Sequence, residues 1–324
     1  MIHSDRLTRR EMLCRTAGFA AALAFGAAAC GGDGNAGETE APRQETEKGT
    51  GKMTTRPIPS SGEALPVIGV GTYINFDVVP GSEDYKALPE VLGALFAAGG
   101  TVIDSSPMYG RAEQTVGELL ATRNPVVRPF LATKVWTSGR EAGIAQMEES
   151  FRLLKTDRID LMQIHNLVDW RTHLPTLRKW KEEGRIRYLG ITHYTPSAYG
   201  AVEEVLKAEP FDFLQINYAV DDRGAEERLL PLARERKVAV ICNRPFGGGD
   251  LLRRLRGRAL PGWAAEVEAT SWAQLALKFL LGNPAVTCII PGTGNPRYMA
   301  ENAAAGSGPV LTEAQRRELI AAVG

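Results

Sequence analysis

The chain has little cysteine and no net charge, and each shortage excludes a class of protein. Four cysteines occur in 324 residues, at positions 14, 30, 242 and 288, and their spacing fits neither a disulfide framework nor a metal site. Cys242 and Cys288 lie in apolar, strand-like runs, where a buried free thiol is the usual state. The 38 basic residues equal the 38 acidic ones, so charge gives no general attraction to nucleic acid or anionic membrane. We therefore expect no bound metal and no nucleic-acid partner.

The N-terminal region lacks an apolar run long enough to cross a bilayer. Its apolar stretch, AGFAAALAFGAAA, is shorter than the ~20 residues that a membrane-spanning helix needs. Arg9 and Arg10 precede the stretch, which resembles a twin-arginine export signal. The stretch ends in Ala27 to Cys30, which resembles a bacterial lipobox, although the same alanines also fit simple signal cleavage. We expect export to the periplasm or cell envelope, with Cys30 lipidated and the lipid as the membrane contact.

Composition divides the chain into three parts. Residues 1–30 form the predicted signal. Residues 31–61 are rich in Gly, Glu, Thr, Pro and Lys and have almost no large apolar side chains, which predicts a disordered linker. Residues 62–324 are close to the ~250 residues typical of one eight-fold barrel, so we expect a single catalytic domain there.

Within this domain, strand-like runs alternate with amphipathic segments, as a (β/α)8 TIM barrel of the α/β class requires. The eight runs are PVIGVGT, TVIDSS, PFLATKVW, IDLMQIH, IRYLGITH, FDFLQINY, VAVICNRP and VTCIIPGT. A final amphipathic segment, residues 312–323, is expected as an extra helix on the outside of the barrel.

Four residues at or just after the ends of successive runs predict a proton-donating site: Asp104, Tyr109, Lys134 and His165. In a parallel barrel, the carboxyl ends of the strands converge on one pocket. A tyrosine has an ordinary pKa of about 10, so it needs a neighbouring cation to lower that pKa and make it a better acid. Lys134 can be that cation and Asp104 its partner, while His165 can donate a hydrogen bond to a substrate oxygen. The set predicts a general acid with its tuning partners.

The run TVIDSSPMYGRAE, followed by LATKVW, LMQIHN and IRYLGITHY, resembles the aldo-keto reductase superfamily, and the resemblance extends from about Leu65 to the C-terminus. It implies an NAD(P)H-dependent reductase of aldehydes or ketones in which Tyr109 is the general acid. We expect the protein to be a monomer. NADPH is the first choice of cofactor and NADH the alternative.

The resemblance also implies where the nicotinamide is held. Thr192 and His193 stand in place of a Ser-Asn pair that binds the carboxamide, and Gln215 shares that task. Asn243 stands where many members carry an aromatic ring stacked on the nicotinamide, so the alternatives are that this stacking is absent or that Phe246 or Tyr218 supplies the ring. The further cofactor contacts implied are Thr72, Tyr73, Pro245, Phe246, Gly247, Pro291, Gly292, Thr293, Arg297 and Asn302.

The segment IPGTGNPRYMAEN resembles the part of the family that grips the adenosine end of the cofactor. Many NADPH-preferring members have lysine where this chain has Gly292 and arginine where it has Tyr298, so Arg297 is expected to supply the charge. The predicted substrate pocket is wide and suits an apolar or sugar-like body. Its expected lining residues are Tyr73, Met108, Trp136 and Trp170.

Two other functions compete with this interpretation. A relative that binds the cofactor with little turnover can serve as a redox-sensing or interaction module. A barrel isomerase or aldolase can use a lysine such as Lys134 as a Schiff-base amine. The presence of Tyr109 and Asp104 argues against the second.

Overall fold

Eight parallel strands form a barrel in the computed structural model, which describes residues 53–122 and 127–324. The predicted signal, Cys30 and residues 31–52 of the predicted linker lie outside the described residues. The strands are β1 Thr55–Pro57, β2 Ala64–Pro66, β3 Val70–Gly71, β4 Val102–Asp104, β5 Phe130–Val135, β6 Ile159–His165, β7 Ile186–Thr192, β8 Phe213–Asn217, β9 Ala239–Asn243 and β10 Val286–Ile289. Strands β3 to β10 pair in sequence order, and hydrogen bonds from Gly69 N to Ile289 O and from Ile289 N to Val67 O, each 2.9 Å, join the two ends. The predicted TIM barrel is confirmed.

Helices on the outside of the barrel connect the strands. They are α1 Glu83–Ala97, α2 Ala112–Ala121, α3 Arg140–Leu154, α4 Trp170–Glu182, α5 Tyr199–Ala208, α6 Leu229–Glu235, α7 Asp250–Arg254, α8 Trp272–Leu281, α9 Pro296–Ala304 and α10 Glu313–Val323. The last is the predicted extra helix, and it begins with a reciprocal capping box between Thr312 and Gln315. Among the described residues, no helix is both long and apolar enough to cross a membrane.

Alternation along the strands produces two apolar layers. On β9, Ala239 and Ile241 point into the barrel, while Val240 and Cys242 pack towards the helices. Cys288 on β10 belongs to the inner layer, so the two thiols lie on opposite faces of the sheet. Both are free and buried, as predicted.

The folded domain begins before residue 62, so the predicted linker boundary is wrong. Strands β1 and β2 pair antiparallel, with Thr55 opposite Pro66. Ile58, which has no exposed surface, joins the inner layer beside residues at the starts of the barrel strands. Arg56 donates to the carbonyl oxygen of Asn283 at 3.0 Å. This hairpin closes the amino-terminal end of the barrel and leaves the other end for the site. The composition of this segment did not predict the hairpin, because a few buried apolar residues in a polar segment are enough to stabilise it.

Candidate active site

Lys134 and Asp104 form a buried ion pair at the carboxyl ends of β5 and β4. Lys134 Nζ lies 2.6 Å from Asp104 Oδ2 and 2.6 Å from the carbonyl oxygen of Ser105, to which it also donates. Both charged side chains are buried. Burial alone would lower the pKa of Lys134, but the Asp104 carboxylate raises it above its ordinary value. The lysine is therefore held as a fixed cation.

Tyr109 places its phenol ring against this cation. Lys134 Nζ lies 4.9 Å from the centroid of the Tyr109 ring, where it stabilises a developing phenolate. Burial raises the pKa of Tyr109 above 10.0, and the Lys134 charge opposes this rise without cancelling it. The sequence-based expectation of a lowered pKa is thus wrong in net direction, because it omitted the cost of burying a phenolate. At neutral pH the phenol keeps its proton and can act as a donor.

His165 ends β6 with its ring edge-on to Tyr109, and the two ring centroids are 6.0 Å apart. Ser106 Oγ lies 3.1 Å from His165 Nδ1 and accepts a hydrogen bond from the Met108 N–H at 3.4 Å. The Ser106 hydroxyl can accept this bond and still donate its own proton to Nδ1. In that tautomer, which we assign to His165, the imidazole proton is on Nε2. Burial, with a further contribution from Lys134, lowers the pKa of His165 well below 6.5. His165 is therefore a neutral donor.

Two buried glutamines orient the Asp104 carboxylate. Gln163 Nε2 donates to Asp104 Oδ1 at 3.0 Å, and Gln215 Nε2 donates to the same oxygen at 2.8 Å. Gln215 was predicted only as a cofactor contact, and Gln163 was not predicted at all. A signal for Gln163 exists in the sequence, because it precedes His165 by two residues on one strand and so shares its face.

Polar side chains continue around the mouth at the ends of β7, β8 and β9. Thr192 Oγ1 donates to Gln215 Oε1 at 3.2 Å, and Asn243 Nδ2 donates to the carbonyl oxygen of His193 at 3.0 Å. Within the described part of the chain, the buried oxygens Asn166 Oδ1 and Asn243 Oδ1 have no hydrogen-bond partner. A buried acceptor without a partner is costly. These two oxygens therefore suit a ligand that brings N–H donors, such as a carboxamide.

His193 presents one ring nitrogen as a donor. Its Nδ1 accepts a hydrogen bond from the Tyr194 N–H at 3.0 Å and lies 3.4 Å from the Thr195 nitrogen. A neutral imidazole that accepts at Nδ1 carries its proton on Nε2. Burial lowers the pKa of His193, which favours this neutral form. Nε2–H can therefore donate to an acceptor such as a carboxamide oxygen.

The segment after β10 lies close to the loop after β3. A β carbon added to Gly292 would lie 3.1 Å from the carbonyl oxygen of Gly71 and 3.3 Å from Asn75 Nδ2. This close contact favours glycine at position 292 and explains why a larger side chain is absent from that position. Arg297 is exposed in the first turn of α9, where its N–H donates to the capping Asn295 Oδ1 at 2.9 Å. Three other predicted contacts are buried in and beside this segment: Pro291, Thr293 and Asn302.

The two rings proposed to stack on the nicotinamide have different surroundings. Tyr218 has no exposed surface, and its hydroxyl is hydrogen-bonded to Glu226 and, at 3.3 Å, to Arg316. It is a core residue, so the prediction that it could supply the stacked ring is wrong. Phe246 is half-buried in the loop after β9, between buried Pro245 and Gly247, which has a φ of 58°. Phe246 is the ring that remains available for this role.

The predicted substrate-pocket residues are only partly brought together. The Tyr73 and Tyr109 rings meet edge-on at 5.0 Å, and the Trp136 ring lies 6.3 Å from that of His165. Thr72 is buried beside them, and Met108 is half-buried before Tyr109. Trp170 packs against the core from the start of α4, with the Arg171 guanidinium 4.3 Å over its ring. Tyr73 therefore packs beside the proton donor, and Trp136 packs beside His165.

Comparisons with known proteins agree with this geometry. The model of the aldo/keto reductase family matches residues 67–323. The uncharacterized oxidoreductase YqkF of Bacillus subtilis is 28% identical over 278 residues, covering 74% of this chain and 88% of that protein. Methylglyoxal reductase YeaE of Escherichia coli is 28% identical over 261 residues, covering 78% of this chain and 89% of the relative.

Solved structures give the same answer. Aldo-keto reductase AKR11C1 from Bacillus halodurans, in its holo form, superposes with a TM-score of 0.67 at 26% identity, covering 84% of this chain and 96% of the other. An aldo/keto reductase from Klebsiella pneumoniae in complex with NADP and acetate superposes with a TM-score of 0.66 at 26% identity, covering 83% and 94%. The family match spans nearly the whole barrel, including the strands that carry Asp104, Lys134 and His165. The chain belongs to the aldo/keto reductase family.

Proposed function

We propose that the protein is an NADPH-dependent reductase of aldehydes or ketones, with Tyr109 as the general acid. The observation that carries the proposal is the cluster at the barrel mouth. The Tyr109 ring lies 6.0 Å from the ring of the neutral donor His165 and 4.9 Å from the buried Lys134 cation, which Asp104 holds at 2.6 Å. NADPH, when bound, supplies the hydride for such a reduction.

Residues of the protein position the substrate carbonyl oxygen and supply the proton. His165 Nε2–H and the Tyr109 hydroxyl can both bond to the substrate carbonyl oxygen, which fixes its position. As charge develops on that oxygen, Tyr109 donates its proton, and the Lys134 ammonium stabilises the phenolate left behind. Asp104, held by Gln163 and Gln215, keeps the ammonium in place.

The residues at the mouth also fit a nicotinamide cofactor. The partnerless oxygens Asn166 Oδ1 and Asn243 Oδ1 would accept from the carboxamide amine, and His193 Nε2–H would donate to its oxygen. Arg297 and the N-terminus of α9 would meet the phosphates of the adenosine end. The Klebsiella relative, described as a complex with NADP, supports the same choice.

Lys134 is a poor candidate for Schiff-base chemistry. A Schiff base requires an unprotonated amine that a carbonyl carbon can reach. The pKa of Lys134 is raised, its Nζ donates to both Asp104 and Ser105, and the side chain has no exposed surface. The geometry therefore favours reduction over an aldolase or isomerase reaction.

We further propose that the protein is a monomer exported by the twin-arginine route and anchored to the cell envelope through lipidated Cys30. The support for export and anchoring lies in the sequence: the Arg9–Arg10 pair, the short apolar stretch and Ala27 to Cys30. Free NADPH is scarce outside the cytoplasm. The twin-arginine route carries folded proteins, which would allow the cofactor to travel inside the barrel.

Fractionation of cells tests the anchor. Cys30→Ser should release the protein from the membrane fraction, whereas Cys14→Ser, the matched control within the signal, should leave it there. Replacing Arg9 and Arg10 with lysine should keep the precursor in the cytoplasm. Membrane retention of the Cys30 variant would instead exclude lipidation at that residue.

The catalytic proposal is tested on purified protein. Nucleotide released by denaturation should be NADPH or NADP⁺, and added NADPH should be oxidised when methylglyoxal is supplied as the probe. Tight nucleotide binding without turnover of any aldehyde or ketone would favour a redox-sensing or interaction module.

A further inference from the structure

Ile74, in the loop after β3, has an unusual backbone conformation for its residue type. Its φ is 65°, in the left-handed region, which is a genuine outlier for a β-branched side chain. The side chain is 66% exposed, so little packing within the protein offsets the strain. Glycine or asparagine would fit the backbone better, so the isoleucine calls for an explanation outside the fold.

Hydrogen bonds around the turn impose this conformation. Thr72 donates to the Asp104 carbonyl oxygen from both its N–H and its Oγ1, at 3.0 and 3.1 Å. Phe76, which has no exposed surface, donates from its N–H back to the Thr72 carbonyl at 3.1 Å, and Asp77 N–H donates to the Ile74 carbonyl at 3.2 Å. The turn is thus fixed at both ends, and one end is bonded to a residue of the buried ion pair.

The same turn lies beside the proton donor. Tyr73 packs its ring 5.0 Å from that of Tyr109 and is 44% exposed. Trp136, in the loop after β5, lies 6.3 Å from His165 and is 41% exposed. We call Tyr73, Ile74 and Trp136 the apolar rim. Their exposed side chains lie on loops close to Tyr109 and His165, the two residues proposed to bond to the carbonyl oxygen.

We propose that Ile74 is a specificity-determining residue that packs against the apolar body of the carbonyl substrate. The inference rests on the proposed reduction and names its substrate class: aldehydes and ketones with an aryl or bulky alkyl group next to the carbonyl. Backbone strain is retained at a site when the side chain it presents is used in binding. Apolar surface of Ile74 that is exposed in the free protein is removed from water in the complex.

Two substrates that share one reactive group test the proposed role of Ile74. Methylglyoxal and phenylglyoxal are both α-ketoaldehydes, and they differ in a methyl or a phenyl group. The variants are Ile74→Gly, which removes the side chain, and Ile74→Asn, which tolerates the left-handed region but is polar. Lys237→Gly is the matched control, since Lys237 has a φ of 56° and is exposed in the turn before β9, at the opposite end of the barrel.

We expect both Ile74 variants to lower kcat/KM for phenylglyoxal by roughly 5- to 20-fold and to change that for methylglyoxal by less than about 2-fold. The melting temperature of all three variants should rise by about 1–4 °C, because each substitution relieves backbone strain at a residue in the left-handed region. Lys237→Gly should leave the ratio of the two kcat/KM values unchanged.

The possible outcomes distinguish an error in the role of Ile74 from an error in the proposed reductase function. Wild-type turnover with an unchanged phenylglyoxal-to-methylglyoxal ratio in both Ile74 variants would overturn the role of Ile74 alone. An equal loss for both probes would do the same, because it would show a general effect on the site. Failure of the wild-type protein to reduce either probe would overturn this inference, and failure with every aldehyde and ketone would overturn the proposed reductase function as well.

Discussion

Lys134 Nζ lies 4.9 Å from the centre of the Tyr109 ring while its protons are donated to Asp104 and Ser105. The cation is thus held by two acceptors of the protein besides the tyrosine. The Lys134 charge and a side-chain hydrogen bond between Lys134 and Tyr109 both favour the phenolate, and burial opposes it.

Lys134→Met should lower the rate of carbonyl reduction by roughly 100-fold or more, because the forming phenolate loses its cation. The sign of the pH effect follows from the pKa of Tyr109. Reduction needs the protonated phenol, and loss of the cation raises the pKa of Tyr109 further. Residual activity should therefore persist to higher pH than in the wild-type protein, as a pH profile of kcat/KM would show.

The variant needs a stability control, since it leaves Asp104 buried without its cation. Loss of one partner of a buried pair typically costs about 3–5 kcal/mol of unfolding free energy. Circular dichroism and an NADPH titration would establish that the protein is folded. A folded Lys134→Met variant with an unchanged rate and pH profile would contradict the role of the lysine.

His193 gives a second prediction, about binding. His193→Asn keeps a side-chain donor, and we expect NADPH to bind within about 3-fold of the wild-type affinity. His193→Leu removes the donor and should raise the Kd for NADPH by roughly 5- to 10-fold, the usual worth of one neutral hydrogen bond. Quenching of tryptophan fluorescence measures both. Wild-type affinity in the His193→Leu variant would show that the imidazole does not bond to the cofactor.

Arg297 tests the choice between NADPH and NADH. If its guanidinium meets the 2′-phosphate, Arg297→Ala should weaken NADPH binding by about 1.5–3 kcal/mol and barely change that of NADH. Arg317→Ala, which removes an exposed arginine from α10, is the matched control. Equal losses for both cofactors would assign Arg297 to the fold, and no loss for either would make NADH the preferred cofactor.

The sequence predicted the barrel because hydrophobic period and residue order are local properties. Each of the eight apolar runs became a barrel strand, and Asp104, Lys134 and His165 lie at or near strand ends as expected. The β1–β2 hairpin was missed, since its stability comes from long-range contacts of Ile58 and Arg56 with the barrel and not from local composition.

The finer features of the site depend on three-dimensional context. Tyr218 and Phe246 are both aromatic residues that follow strands, yet only the structure shows that Tyr218 is bonded to Arg316 in the core. The left-handed conformation of Ile74 arises from hydrogen bonds between the loop after β3 and the end of β4. No sequence pattern predicts such a conformation for isoleucine.

Reduction of a carbonyl substrate by the Tyr109→Phe variant is the most direct test of Tyr109 as the general acid. The substitution removes the proton donor and keeps the ring that packs against Tyr73 and His165. We expect the rate to fall roughly 100- to 10,000-fold, with NADPH affinity and thermal stability nearly unchanged. A folded variant that reduces the substrate at the wild-type rate would contradict the assignment of Tyr109 as the general acid.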